Sequence, residues 1–482
     1  MTIKHRKLPN ILWITLDSVR ADHTSLHGYK RDTTPNLSRI AEDSGKGVNF
    51  EHGIAHSTRT PVSVPSMLTG LYPSRHQMLG MKTGAAIPPE MITAPELLSD
   101  IGYYTVGVSE NGYAGVAKKI DERFDDFVKS APSSVGDLLS PPLRRSILKY
   151  TLKAREHGPG WTLNKNAHKN YSFFTTDIIK RKLRYASQRE NPFFAYIHYN
   201  DPHHPYIPPA TYSNEYLDEI DATVDESLAF AQQMHDDIYQ WMANGLPLSK
   251  KEWEMLYAMY DATIKYTDSM VGELFDFVQN QVGDTVVVIT ADHGDLFGEY
   301  GLLGHHMVLH DGLVHVPLIT HGLEGVRHHA NNPTQHIDVM QTLLTTVGAD
   351  TTQFQGKDLR EESRRVAISQ DLRGTVEDDS AENYQRIRQY NSDIDLSHLP
   401  NSMVSAFRTT DYKLVKTDEW SYLYDLPNET ADVSTEYPEV FRELNSFAEE
   451  WIATDGEPFE VSPTKSDLSK KTEQHLRDMG YL

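Results

Sequence analysis

Asp292 and His293 stand together in Thr290-Ala-Asp-His-Gly-Asp, at the end of the apolar run Thr285-Val-Val-Val-Ile-Thr. A carboxylate and an imidazole at the end of a buried strand offer a divalent metal two ligands of suitable type. Asp17 follows a similar run, Ile11-Leu-Trp-Ile-Thr-Leu. Alone, an Asp in that place serves equally well as a turn or helix-cap residue. On adjacent strands, however, Asp17 and Asp292 would lie within ångströms of each other. Two carboxylates that close repel, and one pKa rises unless a cation sits between them.

Histidines gather in two further places. His198-Tyr-Asn-Asp-Pro-His-His-Pro-Tyr sets His198, His203 and His204 beside Asp201 in a rigid polar loop, where a surface turn is the plainer alternative. Gly304-His-His-Met-Val-Leu-His follows the Asp-His pair, and solvated loop histidines are its plainer alternative. Hydroxyls gather in Ser57-Thr-Arg-Thr-Pro-Val-Ser-Val-Pro-Ser-Met-Leu-Thr-Gly. Any one of them can cap a helix. A hydroxyl that faces a metal does something else: its pKa falls and it becomes an alkoxide nucleophile.

These residues need strands to hold them. Besides the two runs above, Tyr104-Thr-Val-Gly-Val-Ser precedes Glu110 and Asn111, and Phe193-Phe-Ala-Tyr-Ile-His-Tyr precedes Asn200 and Asp201. Continuous apolar runs fit parallel strands covered on both faces. A helix is predicted over Trp253 to Val278, from the near-helical spacing of Leu256, Tyr260, Ile264, Val271, Leu274 and Phe275. The alternation predicts an α/β fold with a mostly parallel central sheet flanked by helices. Ligands then bind at the carboxyl ends of the strands, where the polar clusters fall. The pattern is irregular from about 131 to 172. We expect a catalytic domain over 1–371, a polar loop or insertion over 372–400, and a small α+β subdomain over 401–482. That subdomain would carry antiparallel strands in Ser405–Lys416 and Tyr422–Leu426 and end in a polar tail.

The chain has 482 residues and a formal net charge of −22. Such a surface repels nucleic acid and anionic membranes, so an anionic substrate needs a locally positive site, supplied by metal. There is no cysteine, which excludes disulfides, thiolate metal sites and a thiol nucleophile. The basic start Met1-Thr-Ile-Lys-His-Arg-Lys is followed by too short an apolar run for a signal peptide. No stretch approaches the ~20 apolar residues of a membrane span. A cytoplasmic location is the resulting expectation.

Taken in order, these pieces resemble the sulfatase family, the sulfatase-like hydrolases and transferases of the alkaline phosphatase superfamily. The resemblance rests on Asn10-Ile-Leu-Trp-Ile-Thr-Leu-Asp-Ser-Val-Arg-Ala-Asp-His, Met67-Leu-Thr-Gly-Leu-Tyr-Pro, Asp201-Pro-His-His-Pro-Tyr, Asp292-His-Gly-Asp-Leu-Phe-Gly-Glu-Tyr-Gly-Leu-Leu-Gly-His and His315-Val-Pro-Leu-Ile. Arg408-Thr-Thr-Asp-Tyr-Lys-Leu and Leu423-Tyr-Asp-Leu look like the family's C-terminal subdomain. The resemblance implies an alkaline phosphatase-like fold and an enzyme hydrolysing sulfuric or phosphoric esters with a divalent metal, Ca, Mn, Zn or Mg. It implies Asp17, Asp292 and His293 as metal ligands and Thr60 as nucleophile. His203, His305 and His198 become active-site histidines, and Asn111 and Ser63 substrate-binding residues. Asp201, His203 and His305 are a possible second metal set. The substrate is then an anionic ester, with a glycan or a lipid head group as its organic part.

The sequence departs from the family pattern. The usual Cys/Ser-x-Pro-x-Arg reads Thr60-Pro-Val-Ser-Val, so Val64 stands at the Arg position and Ser18 at that of a second Asp. Formylglycine is therefore not expected. The remaining set looks like that of relatives with a Thr nucleophile, such as lipoteichoic acid synthases and nucleotide phosphodiesterases. A phosphodiesterase, phosphonate hydrolase or phosphoryl transferase is thus one alternative. A catalytically silent binder of sulfated or phosphorylated glycans is the other.

Overall fold

The computed structural model describes residues 8–78, 85–130, 141–153, 157, 172–218, 220–305, 308–371, 379–400, 402–458 and 464–465. The basic start, most of the irregular stretch after 131, His306 and most of the polar tail lie outside these residues.

The apolar runs form the centre of a seven-stranded sheet. Its strands are β1 (Asn10–Leu16), β2 (Gly47–Asn49), β3 (Tyr104–Ser109), β4 (Asp126–Lys129), β5 (Phe193–Tyr199), β6 (Thr285–Ala291) and β7 (Leu318–His321). Their spatial order is β2-β7-β6-β1-β5-β3-β4. β6, β1, β5, β3 and β4 run parallel, and β7 is antiparallel to both β6 and β2. Side chains alternate across a strand, so a run apolar at every position needs cover on both faces. That cover is present. Leu12, Ile14 and Leu16 face one apolar cluster, while Ile11 and Trp13 face another.

Helices supply the layers, among them α1 (Thr60–Thr69), α2 (Ser172–Ala186), α3 (Val224–Asp236), α4 (Lys250–Gln281) and α5 (His336–Val347). α4 extends beyond the predicted Trp253 to Val278. It starts at Ser249, whose hydroxyl accepts from the Glu252 N–H while Glu252 answers the Ser249 N–H, a reciprocal cap.

A second, antiparallel sheet comprises β8 (Ala367–Asp371), β9 (Val404–Arg408), β10 (Tyr412–Lys416) and β11 (Ser421–Asp425), in that order. Phe407, Leu414 and Leu423 join Leu444 and Trp451 of α6 (Pro438–Ala453) in its core. β8 pairs along its whole length with β9, so this subdomain begins ahead of the expected boundary at 401. The stretch 372–400, expected as a loop or insertion, contains a helix at Asp379–Tyr390. Ile387 is fully buried there, and Asn383 accepts from the Tyr239 hydroxyl at 2.8 Å, which ties the helix to the main domain. Among the described residues, no helix is long and apolar enough to cross a membrane.

Candidate active site

The register of the sheet builds the site. Leu16 of β1 pairs with Ala291 of β6 and with Tyr199 of β5. Asp17 and Asp292 therefore leave neighbouring strands at the same level. Their ligand oxygens and a nitrogen of His293 lie within 4.8 Å of one another, and all three residues are fully buried. The His293 Nδ1–H donates to the Gly294 carbonyl at 2.9 Å, which leaves Nε2 as the lone-pair nitrogen toward Asp17 at 3.5 Å. Gly294 is required by close approach, since a Cβ there would meet the Gly312 carbonyl at 2.2 Å.

This group suits a divalent cation. Oδ2 of Asp292 is buried and has no hydrogen-bond partner at ordinary distance. Burial, and then the charge of Asp17, push the Asp292 carboxyl well above the usual range. Burial acts on Asp17 in the same sense, but His203, the hydrogen bond from His198 and His293 outweigh it and hold Asp17 low. One carboxylate is thus forced toward its neutral form by the other, and a cation between them removes that penalty. A divalent metal accordingly fits Asp17, Asp292 and His293.

Thr60 is the first residue of α1 and is fully buried. Its Oγ1 lies 3.3 Å from His293 Nε2 and 3.5 Å from Asp17 Oδ2. Pro61 in the first turn has the helical φ built in, and Gly70 closes the helix at φ 69. The positive end of the helix dipole favours negative charge on Thr60. Arg59, just before it, is nearly buried and reaches Asp371 of β8 at 3.4 Å. The C-terminal subdomain thus touches the segment that carries Thr60.

The other expected residues fall in three places. His198 points its Nε2 at Asp17 Oδ2, 3.2 Å away, with Nδ1 3.3 Å from the Tyr196 hydroxyl. It supports Asp17. Asn111 does the same, donating Nδ2–H to Asp17 Oδ2 at 2.8 Å and accepting the Tyr113 N–H at 2.8 Å. Ser63 donates its hydroxyl to the Asp292 carbonyl at 2.8 Å. Asn111 and Ser63, expected to bind substrate, use these polar groups to hold the Asp17 and Asp292 segments. His203 and His305 come together, their ring centroids 4.8 Å apart. Asp201 does not join them in a ligand group. It accepts from Ser172 at 2.5 Å, and burial pushes it up to about 6.

Sequence reasoning missed two residues. His204 and Asp295 each complete a potential ligand group with His305. Both stood in the quoted segments, as the second His of Pro-His-His-Pro and the last Asp of Asp-His-Gly-Asp. Ser18, at the position of the family's second Asp, adopts φ 63 and donates its hydroxyl to Asp17 Oδ1 at 3.0 Å. The Tyr260 hydroxyl of α4 holds its carbonyl at 2.6 Å.

Comparison with known proteins finds a family and a shared fold. The family model described as Sulfatase matches residues 9–349. The uncharacterized sulfatase YidJ of Escherichia coli (strain K12) is 23% identical over 356 residues, 70% of this chain and 67% of that protein. The phosphonate monoester hydrolase of Agrobacterium radiobacter superposes with a TM-score of 0.67 at 18% identity, covering 93% of this chain and 96% of the other. BT4656, solved in complex with its substrate D-glucosamine-2-N,6-O-disulfate, gives a TM-score of 0.63 at 18% identity, covering 93% and 98%.

Proposed function

The chain belongs to the sulfatase family of ester hydrolases, and from that premise we propose that it cleaves a phosphoric or phosphonic ester with Thr60 as nucleophile. The observation that carries this reading is the Thr60 hydroxyl, 3.3 Å from His293 and 3.5 Å from Asp17.

Asp17, Asp292 and His293 would hold the metal. When bound, a divalent ion lowers the pKa of a facing hydroxyl and draws off charge from the ester. Thr60 Oγ1 releases its proton to solvent as it attacks phosphorus, and the bond from phosphorus to the leaving oxygen breaks. His203 and His305 stabilise the departing oxygen, which leaves as the alcohol once protonated. Water then attacks phosphorus and returns Thr60 to its hydroxyl form. His198 and Asn111 keep Asp17 ionised and aimed throughout.

Phosphorus suits this nucleophile better than sulfur. A phosphothreonine is cleared by attack at phosphorus. A sulfothreonine is harder to clear, because threonine cannot form the aldehyde hydrate that expels sulfate by elimination. Sulfuric ester cleavage is the second reading, favoured by the family and by the disulfated sugar bound to BT4656. In both readings a glycan or lipid head group is the proposed organic part.

The test is a parallel assay of metal-reconstituted protein on nitrophenyl phosphate, phosphodiester, phosphonate and sulfate, beside Thr60→Ala. Turnover of phosphorus esters that Thr60→Ala abolishes, with a phosphorylated Thr60 peptide in quenched reactions, supports the proposal. Sulfate turnover alone, or activity unchanged in Thr60→Ala, rejects it.

A further inference from the structure

Next to the Asp17 centre lies a second convergence of ligand atoms. His203, His204 and His305 each offer one nitrogen, and these lie within 4.8 Å of one another. All three residues are nearly buried, at 4%, 5% and 3% exposure. The ring centroids stand 4.4 Å apart for His203 and His204, and 5.2 Å apart for His204 and His305.

Each ring is anchored through Nδ1. His203 Nδ1 bonds the His204 carbonyl at 2.7 Å. His305 Nδ1 bonds Asp295 Oδ1 at 2.8 Å, and Asp295 Oδ2 accepts from the Tyr206 hydroxyl at 2.8 Å. His204 Nδ1 lies 2.6 Å from Nδ1 of His235, on α3. A bond donated from Nδ1, as from His203 to the His204 carbonyl and from His305 to Asp295, fixes ring orientation and makes Nε2 the ligating nitrogen. That is the support a metal-bound histidine has, down to the carboxylate behind His305.

We propose that His203, His204 and His305 hold a second divalent cation, with Asp295 and His235 as its outer supports. Three imidazoles with an open fourth position are a zinc-type donor set. His305 and His293 stand 4.7 Å apart between ring centroids, so the two centres are neighbours and can share one anionic ester. This assignment does not rest on phosphorus being the substrate atom. It turns His203 and His305 from direct partners of the leaving oxygen into ligands, and it replaces the Asp201 set expected from sequence.

The test measures metal and not turnover. The full chain is stripped with chelator, titrated with zinc, and its bound metal determined by mass spectrometry. Cobalt substitution reports the ligand field. We expect about two equivalents in the wild type, about one in His204→Ala, and about one in Asp292→Asn. The visible absorption of low-symmetry cobalt should persist in Asp292→Asn and vanish in His204→Ala. His235→Phe, which spares every ligand, should bind the second equivalent about 10–100-fold more weakly. One equivalent in the wild type overturns the proposal. So do two equivalents unaffected by His204→Ala. Should His204→Ala fail to fold by circular dichroism, an unchanged second affinity in His235→Phe overturns it.

Discussion

The side-chain amide of Asn111 donates to Oδ2 of Asp17 at 2.8 Å, from the end of β3 across β5 to the end of β1. It steadies the carboxylate that would bind metal. Asn111→Leu should therefore weaken metal binding by about 10–100-fold, the usual effect of losing such a support. A metal titration followed by calorimetry reads this directly. A raised KM with unchanged metal affinity would mean instead that Asn111 meets the substrate.

The hydroxyls of Thr60 and Ser63 separate cleanly. Ser63 is engaged by the Asp292 carbonyl, whereas Thr60 lies between Asp17 and His293. Ser63→Ala should keep kcat within about tenfold and cost about 1 kcal/mol of stability, one buried hydrogen bond. Thr60→Ser should retain activity that Thr60→Ala lacks. Steady-state kinetics on one phosphorus ester, with urea unfolding of each variant, would check both expectations.

Lys413 of β10 is fully buried and bonds Asp311 at 3.0 Å, where Arg408 of β9 also reaches at 2.9 Å. Lys413 pairs with buried Glu429 as well. This network clamps the C-terminal sheet to the segment after His310. Lys413→Met should cost about 3–5 kcal/mol, because it leaves carboxylates buried without their cation. Denaturant unfolding measures the loss. A variant as stable as the wild type would show that Arg408 alone suffices.

Acid should destabilise the protein well before its exposed carboxylates protonate. Burial pushes both His76 and His336 down from 6.5 to about 3, the charge of Lys118 adding to the effect on His76. Each stays neutral in the folded state where the unfolded chain already binds a proton. Their contribution is intact above pH 6.5 and is lost as pH falls from there toward about 3. Each should add a slope approaching about 1.4 kcal/mol per pH unit in that window. His336→Gln should flatten the decline in unfolding free energy between pH 6.5 and 5, by about one proton's worth.

The carboxyl ends of the strands were legible because apolar runs stop abruptly at polar residues. Asp17, Asp292 and His293 sit at such stops, and in-register parallel pairing carries them together. Ser63 and Asn111 were not legible in the same way. Which partner a hydroxyl or an amide meets depends on a rotation within one turn, which spacing does not encode. β8 escaped as a boundary because Ala367-Ile-Ser-Gln-Asp is fully buried yet half polar. The helix at Asp379–Tyr390 escaped because its sequence is polar, and its few anchors rest on a distant element.

β1 is made first and lies at the centre of the sheet, its two edges filled by β5 and β6. The chain must therefore be extended by some 180 residues before one edge is covered, and by some 270 before the other is. Until then an apolar strand waits with open edges, the state most prone to pair with another chain. Asp17 and Asp292 cannot meet before most of the polypeptide has been synthesised. Any metal held between them would be loaded late in biogenesis, and chaperone demand should be greatest for nascent chains that end short of β6.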